Sequence, residues 1–164
     1  MALREARKAG ELGEVPVGAV IVHEGRVIGR GHNRTESLQD PTAHAEVLAI
    51  TAAADHRGSW RLEDCTLYVT LEPCTMCGGA IVLARIPRLV FGAWDPKAGA
   101  CGSIHNVVQR PELNHQVELL GGVREAECGE LLRQFFRERR AEARIIKTQG
   151  RKEIGHDSDD HTDH

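Results

Sequence analysis

The stretch Cys65-Thr-Leu-Tyr-Val-Thr-Leu-Glu-Pro-Cys-Thr-Met-Cys77 decides the fold. Cys65 to Leu71 is a short, nearly continuous apolar run, the pattern of a strand buried on both faces. Pro73 suits the first turn of a helix, which the sequence predicts through Cys77 to about Arg85. A strand passing directly into a helix is the unit of an α/β sheet. Working outward, Arg88 to Trp94 is predicted as the next strand, Asp95 to Arg110 as a long glycine-containing loop, and Val117 to Leu120 as a short strand. A helix from about Glu125 to Ile146 follows. Upstream, Asp40, Pro41 and Thr42 read as a cap and first-turn proline for an Ala-rich helix from Ala43 to Asp55. Val15 to Val22 and Arg26 to Gly31 form a hairpin around His23, Glu24 and Gly25. Leu3 to Leu12, closed by Gly13, is a short amphipathic helix. The expected architecture is α/β, with helices on both faces of a sheet and binding groups at strand ends and helix starts.

A chain of 164 residues is long enough for one well-cored domain, expected over 1–150. Residues 151–164 are polar and acidic and are expected to form a disordered tail. No apolar run approaches the ~20 residues of a spanning helix, and charges rather than an apolar stretch follow Met1, so no membrane association and a cytoplasmic location are expected. Five cysteines, an odd number, argue against a disulfide framework and for metal or buried-thiol roles. The net charge of −3 hides an uneven distribution. Four aspartates crowd the last nine residues, whereas eight cations face only Glu138 and Glu142 between positions 133 and 152. That basic stripe suits phosphate binding or a solvated helix face, and charge alone favours the second.

The chemistry concentrates in two places. His44-Ala-Glu46 lies at the start of one expected helix and Pro73-Cys-Thr-Met-Cys77 at the start of the next. Helix N-termini carry unpaired N–H groups and partial positive charge, which lower thiol pKa and favour the thiolates that zinc needs. His44, Cys74 and Cys77 make three His/Cys ligands and leave a fourth position to water, the composition of a catalytic zinc. Glu46 is a poor partner for a site already holding two thiolates and reads as the acid and base. Two competing readings stay open: Cys74 and Cys77 as a redox pair, and a structural zinc closed by Cys65, Cys101 or Cys128. Neither explains Glu46 or Pro73.

His-x-Glu followed by Pro-Cys-x-x-Cys in the next strand–helix unit is the pattern of the zinc nucleobase deaminases. Further matches are Glu14-Val-Pro-Val-Gly-Ala-Val20, His32-Asn-Arg34, Asp95-Pro-Lys-Ala-Gly-Ala-Cys-Gly-Ser103 and Phe135-Phe-Arg-Glu-Arg-Arg140. On these stretches the chain resembles the bacterial tRNA-specific adenosine deaminases of the cytidine deaminase-like superfamily, over nearly everything before the tail. The resemblance implies a three-layer α/β/α fold with a central mixed sheet of about five strands. It implies one Zn2+ per subunit, a homodimer, and hydrolysis of the wobble adenosine of a tRNA anticodon to inosine. A water activated at the zinc would attack C6 while Glu46 shuttles protons. By the same resemblance Asn33 holds the flipped base, Asp95, Lys97 and Asn114 hold neighbouring nucleotides of the anticodon arm, and Phe136 with Arg139 contacts a base. Taken alone, Asn33 also reads as a turn residue, and Phe135 and Phe136 also read as part of an apolar stripe with Leu131 and Leu132. The N-terminal helix is shorter than is usual in the family, and the His-containing acidic tail has no counterpart there. Two other functions carry the same zinc pattern: deamination of a free nucleobase or nucleotide of the guanine or cytosine type, and noncatalytic RNA binding around a structural zinc.

Overall fold

The computed structural model of the chain describes residues 1–154. In order, the elements are α1 (Ala2–Glu11), β1 (Gly18–His23), β2 (Arg26–His32), α2 (Thr35–Leu38), α3 (Ala45–Arg57), β3 (Cys65–Leu71), α4 (Thr75–Leu83), β4 (Arg88–Ala93), β5 (Glu118–Leu120) and α5 (Glu125–Ile154). The chain divides into two compact units, 1–132 and 133–164.

The first unit holds a five-stranded mixed sheet in the order β2-β1-β3-β4-β5. β1 runs antiparallel to both β2 and β3, and β3, β4 and β5 run parallel. Such a sheet needs cover on both faces, because parallel strands leave no wet side. Ile21, Leu67, Leu89 and Phe91 are almost wholly buried, together with Ile81 of α4 and the alanines of α3. Ala45, Ala49 and Ala53, four residues apart along α3, present no bulk to the sheet. Opposite them β2 carries glycine: a Cβ on Gly31 would fall inside contact distance of the Ala45 carbonyl oxygen. Small residues on both sides seat the start of α3 directly on the sheet edge. On the other face a Cβ on Gly92 would meet the Cys128 side chain, so the first turn of α5 lies against β4, and α1 covers β1.

The strand Cys65–Leu71 falls where the sequence places it. The two prolines do not. α3 begins at Ala45 and α4 at Thr75, so Pro41 and Pro73 precede the helices instead of occupying their first turns. Asp40 is spent on a local turn, its Oδ1 accepting the backbone N–H of Thr42 at 2.8 Å and its hydroxyl at 2.7 Å, a competing use of a short acidic side chain. β1 starts at Gly18 rather than Val15, after a tight turn in which the Val17 N–H bonds the Val15 carbonyl at 2.8 Å. The short α2 has no sequence counterpart; the distant Glu14 carboxylate accepts from Ser37 N–H at 2.7 Å and Glu36 N–H at 3.2 Å. α5 runs past the expected Ile146 to Ile154, since no proline stops it. Of the expected tail, 151–154 continue this helix and the remainder lies outside the described residues. No helix among the described residues is long and apolar enough to cross a membrane.

Candidate metal centre and active site

α3 and α4 begin on the same side of the sheet, and the residues at their N-caps are not the usual Ser, Thr, Asp or Asn. His44 caps α3 with extended backbone (φ −81°, ψ 151°), and Cys74 caps α4 in the same way (φ −75°, ψ 176°). The His44 side chain makes no cap bond to its own helix, and the Cys74 sulfur is bonded by Cys77 within α4. Both turn to a common point: His44 Nδ1 lies 3.6 Å from Cys74 Sγ and 3.5 Å from Cys77 Sγ. One ligand atom from each of the three lies within 4.8 Å of the other two. The cap that α3 forgoes comes from elsewhere: Asn33 Oδ1 accepts the Ala45 N–H at 2.9 Å. Asn33 thus ties the end of β2 to the turn between His44 and Glu46, a task the sequence does not reveal.

Electrostatics matches this arrangement. The Cys74 thiol is pulled down to about 3, first by the hydrogen bond from Cys77 and then by His44. Cys77 is pushed far up by that same bond and by burial. The hydrogen bond with Cys74 raises His44. Glu46 is 4% exposed, and burial pushes its carboxyl up to about 7 against the pull of His44. It lies beside the Cys77 thiol yet outside the three-residue cluster.

A second carboxylate organises the surroundings. Glu72, 2% exposed between Leu71 and Pro73, accepts from the backbone N–H of Asp95 (2.8 Å), Cys101 (3.1 Å) and Ser103 (2.9 Å), and from the Ser103 hydroxyl. It therefore clasps the loop after β4 to the turn that carries Cys74, and Cys74 and Gly99 pair as an isolated antiparallel bridge. Sequence reasoning missed Glu72, although an acid closing an apolar strand was the available signal. It also missed Thr75 and His105, whose Oγ1 and Nε2 meet at 2.8 Å beside Cys74.

The expected substrate residues are placed unequally. Asp95 and Lys97 sit in the clasped loop, where Asp95 Oδ1 accepts the Lys97 and Ala98 N–H groups and Lys97 is exposed. Asn114 is exposed next to His115, whose Nε2 meets the Ile86 carbonyl at 2.7 Å just before β4. The β3–β4 register puts that point at the end of the sheet opposite Leu71 and the ligands. Phe136 and Arg139 belong to the second unit. There Phe136 is 44% exposed rather than core, stacked edge-on against Phe135 at 5.3 Å, while Arg139 lies 5.1 Å over the Phe135 ring. A cavity of about 300 Å³ on the α1 face, lined by Val20, Tyr68 and Val90, includes none of these residues.

Glu14 and Glu72 make acid stability testable. Burial alone raises both carboxyls, but the N–H and O–H groups bonded to them outweigh it and hold both below 4.5. A carboxyl depressed in the fold contributes stability above its unfolded value, and that contribution is lost as pH falls through the folded value. The contribution of these two groups to Tm should therefore be constant from neutrality down to about pH 4.5 and decline below it. In Glu14→Gln the melt should start lower and decline less; an equal decline in both proteins would remove Glu14 from this role.

The family model of the MafB19-like deaminases matches residues 1–140. The chain is 53% identical over 146 residues to the tRNA-specific adenosine deaminase of Bacillus subtilis (strain 168), covering 89% of this chain and 91% of that one. It is 54% identical over 140 residues to the protein of the same name from Agrobacterium fabrum (strain C58 / ATCC 33970), covering 85% and 92%. A solved structure from work on A-to-I editing by tRNA:A34 deaminases at the wobble position of transfer RNA superposes with a TM-score of 0.77. It has 52% identity and covers 80% of this chain and 95% of its own. With its five-stranded mixed sheet and its paired helix starts, the chain is a deaminase and belongs to the family of the tRNA-specific adenosine deaminases.

Proposed function

We propose that the chain hydrolyses adenosine to inosine at the wobble position of a tRNA anticodon, with one Zn2+ held by His44, Cys74 and Cys77. The observation that carries this is the convergence of those three side chains beside the buried Glu46. The donor set fits zinc. Zn–S and Zn–N bonds of about 2.3 and 2.05 Å at a tetrahedral angle separate N and S by about 3.6 Å, against 3.6 and 3.5 Å here. Cys65, Cys101 and Cys128 are buried thiols outside the cluster, which leaves the fourth position without a protein ligand among the described residues. That arrangement disfavours a structural zinc. When bound, zinc supplies the Lewis acidity that makes water a nucleophile near neutral pH.

The remaining work falls to the chain. Glu46 accepts one proton of the attacking water and passes it to N1 of the base, then takes the second from the new C6 hydroxyl and passes it to the amino group, which leaves as ammonia. Its burial suits that exchange, because a carboxyl near neutrality is ready both to take and to give a proton. Asn33, with Oδ1 already committed to Ala45, offers its amide N–H groups to the flipped base. Asp95, Lys97 and Asn114 hold flanking nucleotides of the anticodon arm, and Phe136 with Arg139 provides a stacking surface for a splayed base. The distance of Asn114 from its own ligands supports a homodimer in which each chain lends Asn114 to the other's site.

The test is an anticodon stem-loop carrying wobble adenosine, assayed for inosine beside free adenine, guanine and cytosine. Inosine should form on the RNA and no ammonia from the bases. Comparable turnover of a free base would replace the tRNA reading by a small-molecule deaminase, and no ammonia from any substrate would leave only RNA binding.

A further inference from the structure

Six of the eight cations between positions 133 and 152 recur on one side of α5, Arg139 lying roughly 240° round from Arg133. Arg133, Arg137, Arg140, Arg144, Lys147 and Arg151 follow one another at intervals of four, three, four, three and four residues. At 3.6 residues per turn and 1.5 Å per residue they form one row, a sector roughly 80° wide and ~27 Å long. All six are exposed. The carboxylates of the same span, Glu138 and Glu142, project roughly 140° and 180° away, as do Phe135 and Ile146 at roughly 200° and 220°. Gln134 donates to Glu138 at 3.0 Å on that other side.

Solubility does not require this pattern, since a solvated face is served as well by mixed signs. Like charges three or four residues apart instead weaken a helix, by a few tenths of a kcal/mol for each pair. A straight row of cations spaced about one helical turn apart complements a polyanion that is itself stiff and regularly charged, which describes a duplex phosphate backbone. We propose that this row is a phosphate-binding face and that its occupant is the base-paired stem of the RNA substrate. The identity of that substrate rests on the tRNA reading above; the charge geometry does not.

The test uses the full chain and a triple variant, Arg144→Gln with Lys147→Gln and Arg151→Gln, none of which is assigned to the reacting site. Binding to an anticodon arm is followed by fluorescence anisotropy across a salt series, with KM and kcat for inosine formation measured alongside. Loss of three phosphate contacts should raise Kd and KM about tenfold or more, leave kcat unchanged, and flatten the slope of log K against log salt by about 2 to 3. The effect should shrink when the stem is cut to two base pairs. Unchanged slopes, or an equal loss on the shortened stem, would overturn the proposal. So would an unchanged RNA slope with lost binding to vesicles containing phosphatidylserine, which would give the row to a membrane surface. Binding reads the row even if the wild-type chain makes no inosine, so failure of the activity and failure of the row are separate results.

Discussion

Glu46→Gln should lower kcat for inosine formation by roughly 10²- to 10⁴-fold while zinc content stays near one per chain. The magnitude follows from the number of proton transfers assigned to one group, and Gln matches the shape of Glu while carrying no transferable proton. Retention of metal follows from geometry, because Glu46 lies outside the cluster of His44, Cys74 and Cys77. The side chain is 4% exposed, so an isosteric change is needed to keep packing intact. Metal analysis and single-turnover kinetics on the same preparation decide the matter. Activity within about tenfold of wild type would remove Glu46 from proton transfer, and loss of zinc would make it a ligand.

Glu72→Gln should destabilise the fold by about 2–4 kcal/mol, lowering Tm by on the order of 10 °C. Four donors converge on the Glu72 carboxylate, three of them backbone N–H groups. An amide turns an NH2 toward at least one of them, leaving a buried donor unpaired and removing charge-assisted bonds. Gly99→Ala should produce a similar loss by a different route. A Cβ there would collide with the Glu72 carboxylate and lie 2.6 Å from the Asp95 carbonyl oxygen. Because both changes break one clasp, the double variant should cost clearly less than the sum of the singles. Strict additivity in thermal or urea melts would show that the loop is held by something else. Turnover should fall with stability in both variants, since this loop carries Asp95 and Lys97 and pairs with Cys74 through Gly99.

Much of the fold was legible because its signals are local. Cys65–Leu71 is a nearly continuous apolar run, and the turn His23-Glu24-Gly25 separates two β-branched runs, so strand and hairpin followed from side-chain type alone. Local signals also misled. Pro41 and Pro73 suit a helix's first turn, yet α3 and α4 begin only at Ala45 and Thr75. The cap positions are held by His44 and Cys74, whose side chains are committed to the cluster, and the Ala45 N–H at the start of α3 is bonded by Asn33 instead.

The sequence by itself determined the chemistry: which residues offer nitrogen and sulfur, which acid stands apart from them, and that strands alternate with helices around both motifs. Only the tertiary structure decided how these parts meet. It showed that the His44 nitrogen facing the sulfurs is Nδ1, that Asn33 restrains the start of α3, that Glu72 clasps the loop after β4, and that Asn114 lies at the far end of the sheet. The reason is separation along the chain. A donor and its acceptor 12 to 31 residues apart leave no periodicity to detect, whereas an apolar strand or a helix start is written within a few consecutive side chains.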